Sequence, residues 1–398
     1  MMKTKSWWSF RKGMGVLPVV AASMTLVATS MGASAAGVTL HATEHSHLAA
    51  SHQLHGTVTK QATVKKFDPS ATAFTLDATT TYVSCLNTKI APTHTKLPKG
   101  KFSEYAAPLG ASGDEGTVLR GTDDAVWYGS NSSDIVRASD DGHFTVCPIP
   151  TNTDYVDFLT NGPDGAVWFT EYDNDKIGRI QIVRTKKADD IVKFTEFSGG
   201  GIDGPEGIVG GPDHNLWITE YDGNRVDQMT VNGTGVAYSL PTADSEPAGI
   251  TVGPDNALWF TEYGNATISR INLDGVIHEF TGTVSEPWGI VTGPDHNLWF
   301  TDSGNGSVGN MTTEGTVTEY GDLLVGASPD FITNLRDGKS LVFTEDNGVI
   351  ARVTTDGKVT EIGIPNEQYI YGIVATGDNT VWFTQDDEAT LGKFTFKS

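Results

Sequence analysis

The stretch GPDHNLWITEYDGNRV, Gly211 to Val226, decides how the rest of the chain is read. It returns as GPDGAVWFTEYDNDKI from Gly162, GPDNALWFTEYGNATI from Gly253 and GPDHNLWFTDSGNGSV from Gly293. Three looser copies are RGTDDAVWYGSNSSDI from Arg120, LRDGKSLVFTEDNGVI from Leu335 and TGDNTVWFTQDDEATL from Thr376. The aligned positions are Trp127, Trp168, Trp217, Trp259, Trp299, Val342 and Trp382, spaced 40 to 49 residues apart. A period near 40, made of short strands and turn signals, marks a β-propeller with one four-stranded blade per repeat. Seven copies predict an all-β, seven-bladed β-propeller.

The grammar inside each copy follows blade physics. Short apolar runs such as GIVG, GITV and GIVT suit an inner strand. Gly-Pro-Asp makes a tight turn, because Pro presets φ and Asp bonds the backbone ahead of it. Leu-Trp-Phe-Thr, aromatic and β-branched, suits a second strand. Asx and Gly then turn the chain into IGRI or ISRI. A final DGVIHEF or EGTVTEY alternates apolar and polar residues, as an exposed fourth strand should.

The last repeat stops after LGKFTF, a third-strand phrase. Its missing phrase stands far upstream as KGKFSEY, Lys99 to Tyr105, matching EGTVTEY from Glu314. The N-terminal strand is therefore expected to complete the last blade, which removes an open sheet edge and closes the ring. Residues 56–98 match no blade and read as either an extra strand pair or a loose extension. Cys85 and Cys147 are the chain's two cysteines. In an exported protein such a pair suggests a disulfide, here closing about 60 residues and contributing roughly 4 kcal/mol.

Residues 1–36 carry four basic residues and no acid, an apolar run near Val16 to Ala28, and Ala33-Ser34-Ala35-Ala36. This reads as a secretory signal peptide, so a secreted, extracellular protein is expected. Three regions follow: the signal, a His-rich leader with extension over 37–98, and the propeller over 99–398. The leader holds His41, His45, His47, His52 and His55, half of the ten histidines. It reads as a polar leader or as a metal-binding cluster, although its spacing fits no closed zinc site. The formal net charge is −22 over 398 residues. That disfavours nucleic acid and anionic membranes as partners. With no later span for a bilayer, a monomer free of the membrane after signal removal is expected.

Propeller geometry brings two positions per blade to one channel mouth. One lies eleven residues before each Trp: Gly116, Asp157, Glu206, Ala248, Trp288 and Tyr371, with Asp330 one residue further out. The other follows the second strand: Glu171, Glu220, Glu262, Asp302, Glu345, Gln385 and Asp386. Clustered carboxylates repel unless protonated or sharing a cation, and Mg²⁺ or Ca²⁺ suits an all-oxygen site. The Glu after Phe-Thr recurs in blade after blade, so that second set reads equally as a repeated structural hydrogen bond. The first set varies between blades and carries the functional expectation. Asp157, Glu206, Trp288 and Asp330 are the candidate ligand-binding residues. Trp288 either stacks on a ligand or plugs the channel.

PAGITVGPDNALWFTEYGNATISRI and PWGIVTGPDHNLWFTDSGNGSVGNM resemble the repeat of the streptogramin lyase family, typified by virginiamycin B lyase. The likeness covers all seven repeats. It implies a seven-bladed propeller that linearises cyclic depsipeptides by elimination, with a His base and Mg²⁺ held by carboxylates. The family's His of a sixth-blade Pro-His phrase falls on Pro329-Asp330, its Glu-Pro-His on Tyr369-Ile370-Tyr371, and its final Glu on Asp386. No His stands at a convergent position. Tyr371 with Asp386 is the candidate catalytic pair, and Asp330 with Asp386 the candidate metal pair. Three roles stay open: a secreted binder of a small molecule or peptide at an acidic mouth, a metal-assisted carbon–oxygen lyase on an ester or lactone, and an extracellular interaction scaffold.

Overall fold

The computed structural model describes residues 57–397, apart from 107, 109–112, 131–132, 152–155, 185–190, 322, 325, 366–368 and 386–389. The signal and the His-rich leader lie outside the described residues.

The repeat folds as seven sheets around a ring. In the third blade the strands are Pro205–Gly210, Leu216–Glu220, Arg225–Met229 and Thr234–Ser239, innermost first and all antiparallel. The Gly-Pro-Asp turn is locked by its own Trp. Asp213 Oδ1 accepts the Trp217 indole N–H at 3.2 Å and the Asn215 amide at 3.2 Å. Its other oxygen takes Gln228 from the third strand at 2.6 Å. Asp123, Asp164 and Asp255 do the same with Trp127, Trp168 and Trp259, and with Arg137, Arg179 and Arg270. A Cβ on Gly211 would stand 2.5 Å from the Trp217 ring, so this position admits only glycine. The turn then passes through positive φ at His214, Asn256 and His296.

Each Trp also joins blades. Trp217 packs on Ile250, Leu258 and Phe260 of the next blade, and Trp299 on Ile332, Leu341 and Phe343. Within its own blade it stacks on the fourth-strand aromatic: Phe197, Tyr238, Phe280 and Tyr320 at ring distances of 5.3, 5.9, 5.0 and 5.6 Å. Burial of such a ring is worth a few kcal/mol, so the core repeats around the ring rather than filling one centre.

The N-terminal segment forms seven strands: β1 (Thr57–Gln61), β2 (Thr63–Phe67), β3 (Ala71–Thr75), β4 (Asp77–Ser84), β5 (Leu86–Lys89), β6 (Thr93–Leu97) and β7 (Gly100–Ala106). β7 pairs with Thr390–Phe396 and completes the last blade. Its Tyr105 stacks on Trp382 at 5.0 Å, as the fourth-strand aromatics do elsewhere.

The expectation of a strand pair or loose extension over 56–98 is corrected. β1 to β6 are fifth strands, one on the outer edge of each of six blades. The belt runs backwards round the ring: β1 on the fifth blade, β2 on the fourth, then the third, second, first and seventh. β6 forms a hairpin with β7, whereas β1 to β5 are each antiparallel to a partner more than fifty residues away, so no local pattern announces them. Residues between belt strands turn inward: Ala62, Leu76 and Ile90 donate backbone N–H to the carbonyls of Gly315, Gly233 and Gly142, each at 2.8 Å. Cys85, between β4 and β5, is bonded to Cys147 of the first blade, and both are buried. The long gap after Trp168 is partly strand: Lys176–Arg184 and Ile191–Ser198 run nine and eight residues, and the loop between them lies outside the described residues.

Candidate functional site

Five residues of the first set sit where their inner strands bulge. Pairing skips between Pro205 and Ile208, Pro247 and Ile250, Pro287 and Ile290, Pro329 and Ile332, and Ile370 and Ile373. A bulge re-aims the side chain it carries. The skipped positions include Glu206, Ala248, Trp288, Asp330 and Tyr371. Their carbonyls are gripped from the neighbouring blade by the Thr of the second-strand phrase. Thr170, Thr219, Thr261 and Thr301 hydroxyls donate to the carbonyls of Glu206, Ala248, Trp288 and Asp330 at 2.7, 2.6, 2.7 and 2.5 Å. The mouth is thus set by a ring of inter-blade hydrogen bonds.

Asp157 and Glu206 fall in one cluster with Tyr172, Tyr221, Asp222 and Glu246. Tyr172 donates to Asp222 at 2.9 Å and Tyr221 to Glu246 at 2.8 Å, and the two phenol rings meet edge to face at 6.1 Å. Burial, then the charge of Asp222, holds the Tyr172 phenol protonated, and burial with Glu246 does so for Tyr221. Glu206 is 3% exposed. Burial pushes its carboxyl up to about 8, helped by Asp222 and Asp173. Asp157 is half-buried and accepts the Tyr172 amide at 3.3 Å. Glu246 is held at positive φ, +48°, before Pro247, a strained non-glycine conformation that aims it at Tyr221.

The other candidates stand on the remaining inner strands. Trp288 is 2% exposed and meets Tyr263 edge to face at 5.8 Å. Tyr371 is buried and stacks on the half-exposed Tyr369 at 6.4 Å. Asp330 is buried, and beside it Phe331 meets Phe158 at 5.7 Å. These two rings come from the sixth and second blades, so they cross the channel and floor the mouth. That places the plug at Phe158 and Phe331 rather than at Trp288 alone. Asp386 lies outside the described residues. Among the described residues no three His, Cys, Asp or Glu gather to hold a metal ion. Of the two donors named for Mg²⁺, Asp330 lies buried on the inner strand of the sixth blade.

The second set does not line the mouth. Glu171, Glu220, Glu262, Asp302, Glu345 and Gln385 are all fully or almost fully buried, inside the blades. Asp302 accepts the amides of Ser285 and Glu286 at 2.8 and 2.9 Å, and Glu220 that of Asp203 at 2.6 Å. The five carboxylates among them each face a second carboxylate of their own sheet: Glu196, Asp227, Glu279, Glu319 and Glu361 oppose Glu171, Glu220, Glu262, Asp302 and Glu345. Burial, then the facing charge, lifts Glu171 to about 8 and Glu345 to about 9. The recurrence of Glu after Phe-Thr is a structural device. Tyr172, Tyr221 and Glu246 are absent from the candidates read from the sequence, yet they carry a signal: Glu-Tyr ends the second strand of the second and third blades, and Glu-Pro opens the inner strand of the fourth.

The model of the virginiamycin B lyase family matches residues 40–189 and 192–398. The chain belongs to the virginiamycin B lyase family. Virginiamycin B lyase from Staphylococcus aureus is 34% identical, with a TM-score of 0.67 over 74% of this chain and 99% of that one. The same figures hold for a catalytically inactive His-to-Ala variant of that enzyme solved with quinupristin. A streptogramin B lyase structure is 32% identical, TM-score 0.67, over 74% and 97%. The WD40 repeats of RRP9, at 11% identity and TM-score 0.60, share the fold alone. No curated protein sequence matches.

Proposed function

We propose that this protein is a secreted binder of a small peptide or small molecule, held at the mouth by carboxylates and aromatic rings. The observation that carries the reading is the cluster of Asp157, Glu206, Tyr172, Tyr221, Asp222 and Glu246 above the Phe158–Phe331 floor. Such a surface offers hydrogen-bond acceptors and ring edges to an amine or hydroxyl group while excluding water below. A cyclic depsipeptide of the quinupristin kind is the first ligand to try, because a relative was solved with it. Titration calorimetry tests the reading. Saturable binding that weakens at least tenfold in Asp157→Asn and in Tyr221→Phe supports it, and heats unchanged by both variants refute it.

A second reading is elimination on an ester or lactone, favoured by membership of a lyase family. Tyr371 and Asp386 fall at the sequence positions where the resemblance expects the family's base and carboxylate, and Mg²⁺ or Ca²⁺ belongs to this reading. Elimination opens a ring without adding water, so the linear product keeps the substrate's mass. Chromatography with mass spectrometry, with and without added Mg²⁺, decides it. Ring opening at unchanged mass that is lost in Tyr371→Phe establishes the lyase, and an unaltered cyclic substrate leaves the binder.

A further inference from the structure

We infer that residues 50–54 of this chain form one more belt strand, on the open outer edge of the sixth blade. Among the described residues, the sheet Pro329–Asn334, Ser340–Glu345, Val349–Thr354, Val359–Gly363 has four strands, whereas the other six have five. The belt order explains which chain would fill the gap. From β6 back to β1 it covers the seventh, first, second, third, fourth and fifth blades in turn. The next blade in that order is the sixth, and the next residues are those before Thr57. The residues just before Thr57 are therefore the ones the belt order assigns to that edge.

The register follows from the belt's own period. In the fifth, fourth, third and second blades the aromatics Tyr320, Phe280, Tyr238 and Phe197 pair with Thr57, Val64, Ala71 and Ala78, seven residues apart each time. Two residues before Val64 and Ala78 stand the connectors Ala62 and Leu76, whose N–H groups reach Gly315 and Gly233. The corresponding connector before Ala71 is Pro69, which has no N–H to give. Two residues before Thr57 stands His55. The glycine in the matching turn of the sixth blade is Gly357, at φ +85° beside the Tyr320 ring, as Gly315 stands at +87° beside Phe280. Sliding the fifth-blade register by seven residues pairs Gln53 with Val359, His52 with Thr360 and Ser51 with Glu361. It repeats the pairing of Lys60, Thr59 and Val58 with Val317, Thr318 and Glu319.

The site has room. A groove of about 780 Å³ opens along this edge, lined by Lys99, Arg352, Thr354, Lys358, Thr360 and Phe396. Lys99 Nζ donates to the Glu361 carbonyl at 2.8 Å, a flexible ammonium resting on an edge acceptor that a strand would take over. An edge of this length left open is a template for pairing with a second copy, and the belt strand answers it from within the chain.

The test compares two cysteine pairs in the chain from residue 37 onward. The control is Thr59→Cys with Thr318→Cys, whose hydroxyls lie 3.4 Å apart. The probe is His52→Cys with Thr360→Cys, the same register position seven residues earlier. Peptide mapping under non-reducing conditions should find the probe closed within one chain in a yield close to the control's. Closure between two chains, or none while the control closes, overturns the inference. Hydrogen exchange on the unsubstituted chain gives an independent reading. Amides over 359–362 should exchange roughly tenfold slower, or more, than after deletion of residues 37–55. Rates alike in the two forms overturn it.

Discussion

At the scale of single residues, this fold depends on carboxylates doing two different things. The turn aspartates are charged and fully engaged. Asp255 takes the Trp259 indole at 3.0 Å, the Ala257 amide at 3.3 Å and Arg270 at 2.5 Å. Asp255→Ala strands a buried indole N–H, and should cost about 1–3 kcal/mol in urea unfolding. Thr219→Val, which removes the grip on the Ala248 carbonyl, should cost a similar amount, about 1–3 kcal/mol, and disturb the mouth without touching a mouth side chain. The blade-interior glutamates are the opposite kind, buried against a second carboxylate. Both Glu171 oxygens lack a hydrogen-bond partner among the described residues, which favours the neutral form.

Elements are held by partners from distant sequence. β5 pairs with His143–Pro148 through four residue pairs, and the adjoining Cys85–Cys147 bond ties the belt to the first blade across a separation of 62 residues. Replacing both cysteines by Ser should cost roughly 4 kcal/mol by the loop-entropy account, read as a lower urea midpoint. β7 is more demanding, because seven residue pairs and the Tyr105–Trp382 stack close the ring. Tyr105→Ala should lower stability by about 3–5 kcal/mol, as large aromatic truncations in cores do. The check is thermal unfolding beside Tyr238→Ala, an equivalent that does not close the ring. A larger loss at Tyr105 marks the closure.

For the whole molecule, the raised carboxyls set a pH dependence. Burial lifts Glu171 from 4.5 to about 8 and Glu345 from 4.5 to about 9. In that window the folded chain holds protons that the unfolded chain has released, so stability falls as pH rises. Their contribution is complete below about pH 4.5 and lost as pH passes through 8 to 9. Thermal midpoints should therefore decline from pH 5 to pH 9, and Glu171→Gln with Glu345→Gln should flatten the slope. A midpoint that climbs over that range contradicts this account.

What the sequence determined by itself is everything that repeats. The Trp spacing, the Gly-Pro-Asp turns and the orphan phrase at Lys99 to Tyr105 led to seven blades and their closure, because each blade is a local unit whose turns and alternation are written within some 40 residues. The inner-strand positions of Glu206, Trp288, Asp330 and Tyr371 also follow from the repeat, since each lies eleven or twelve residues before the aligned Trp or Val342. Only the tertiary structure decided the belt, because its first four strands, β1 to β4, pair with residues more than a hundred positions away. It also decided the fate of the Glu residues after Phe-Thr. A strand alternates its faces, but which side of a tightly twisted blade meets the channel depends on how neighbouring blades pack, and that is a property of the assembled ring.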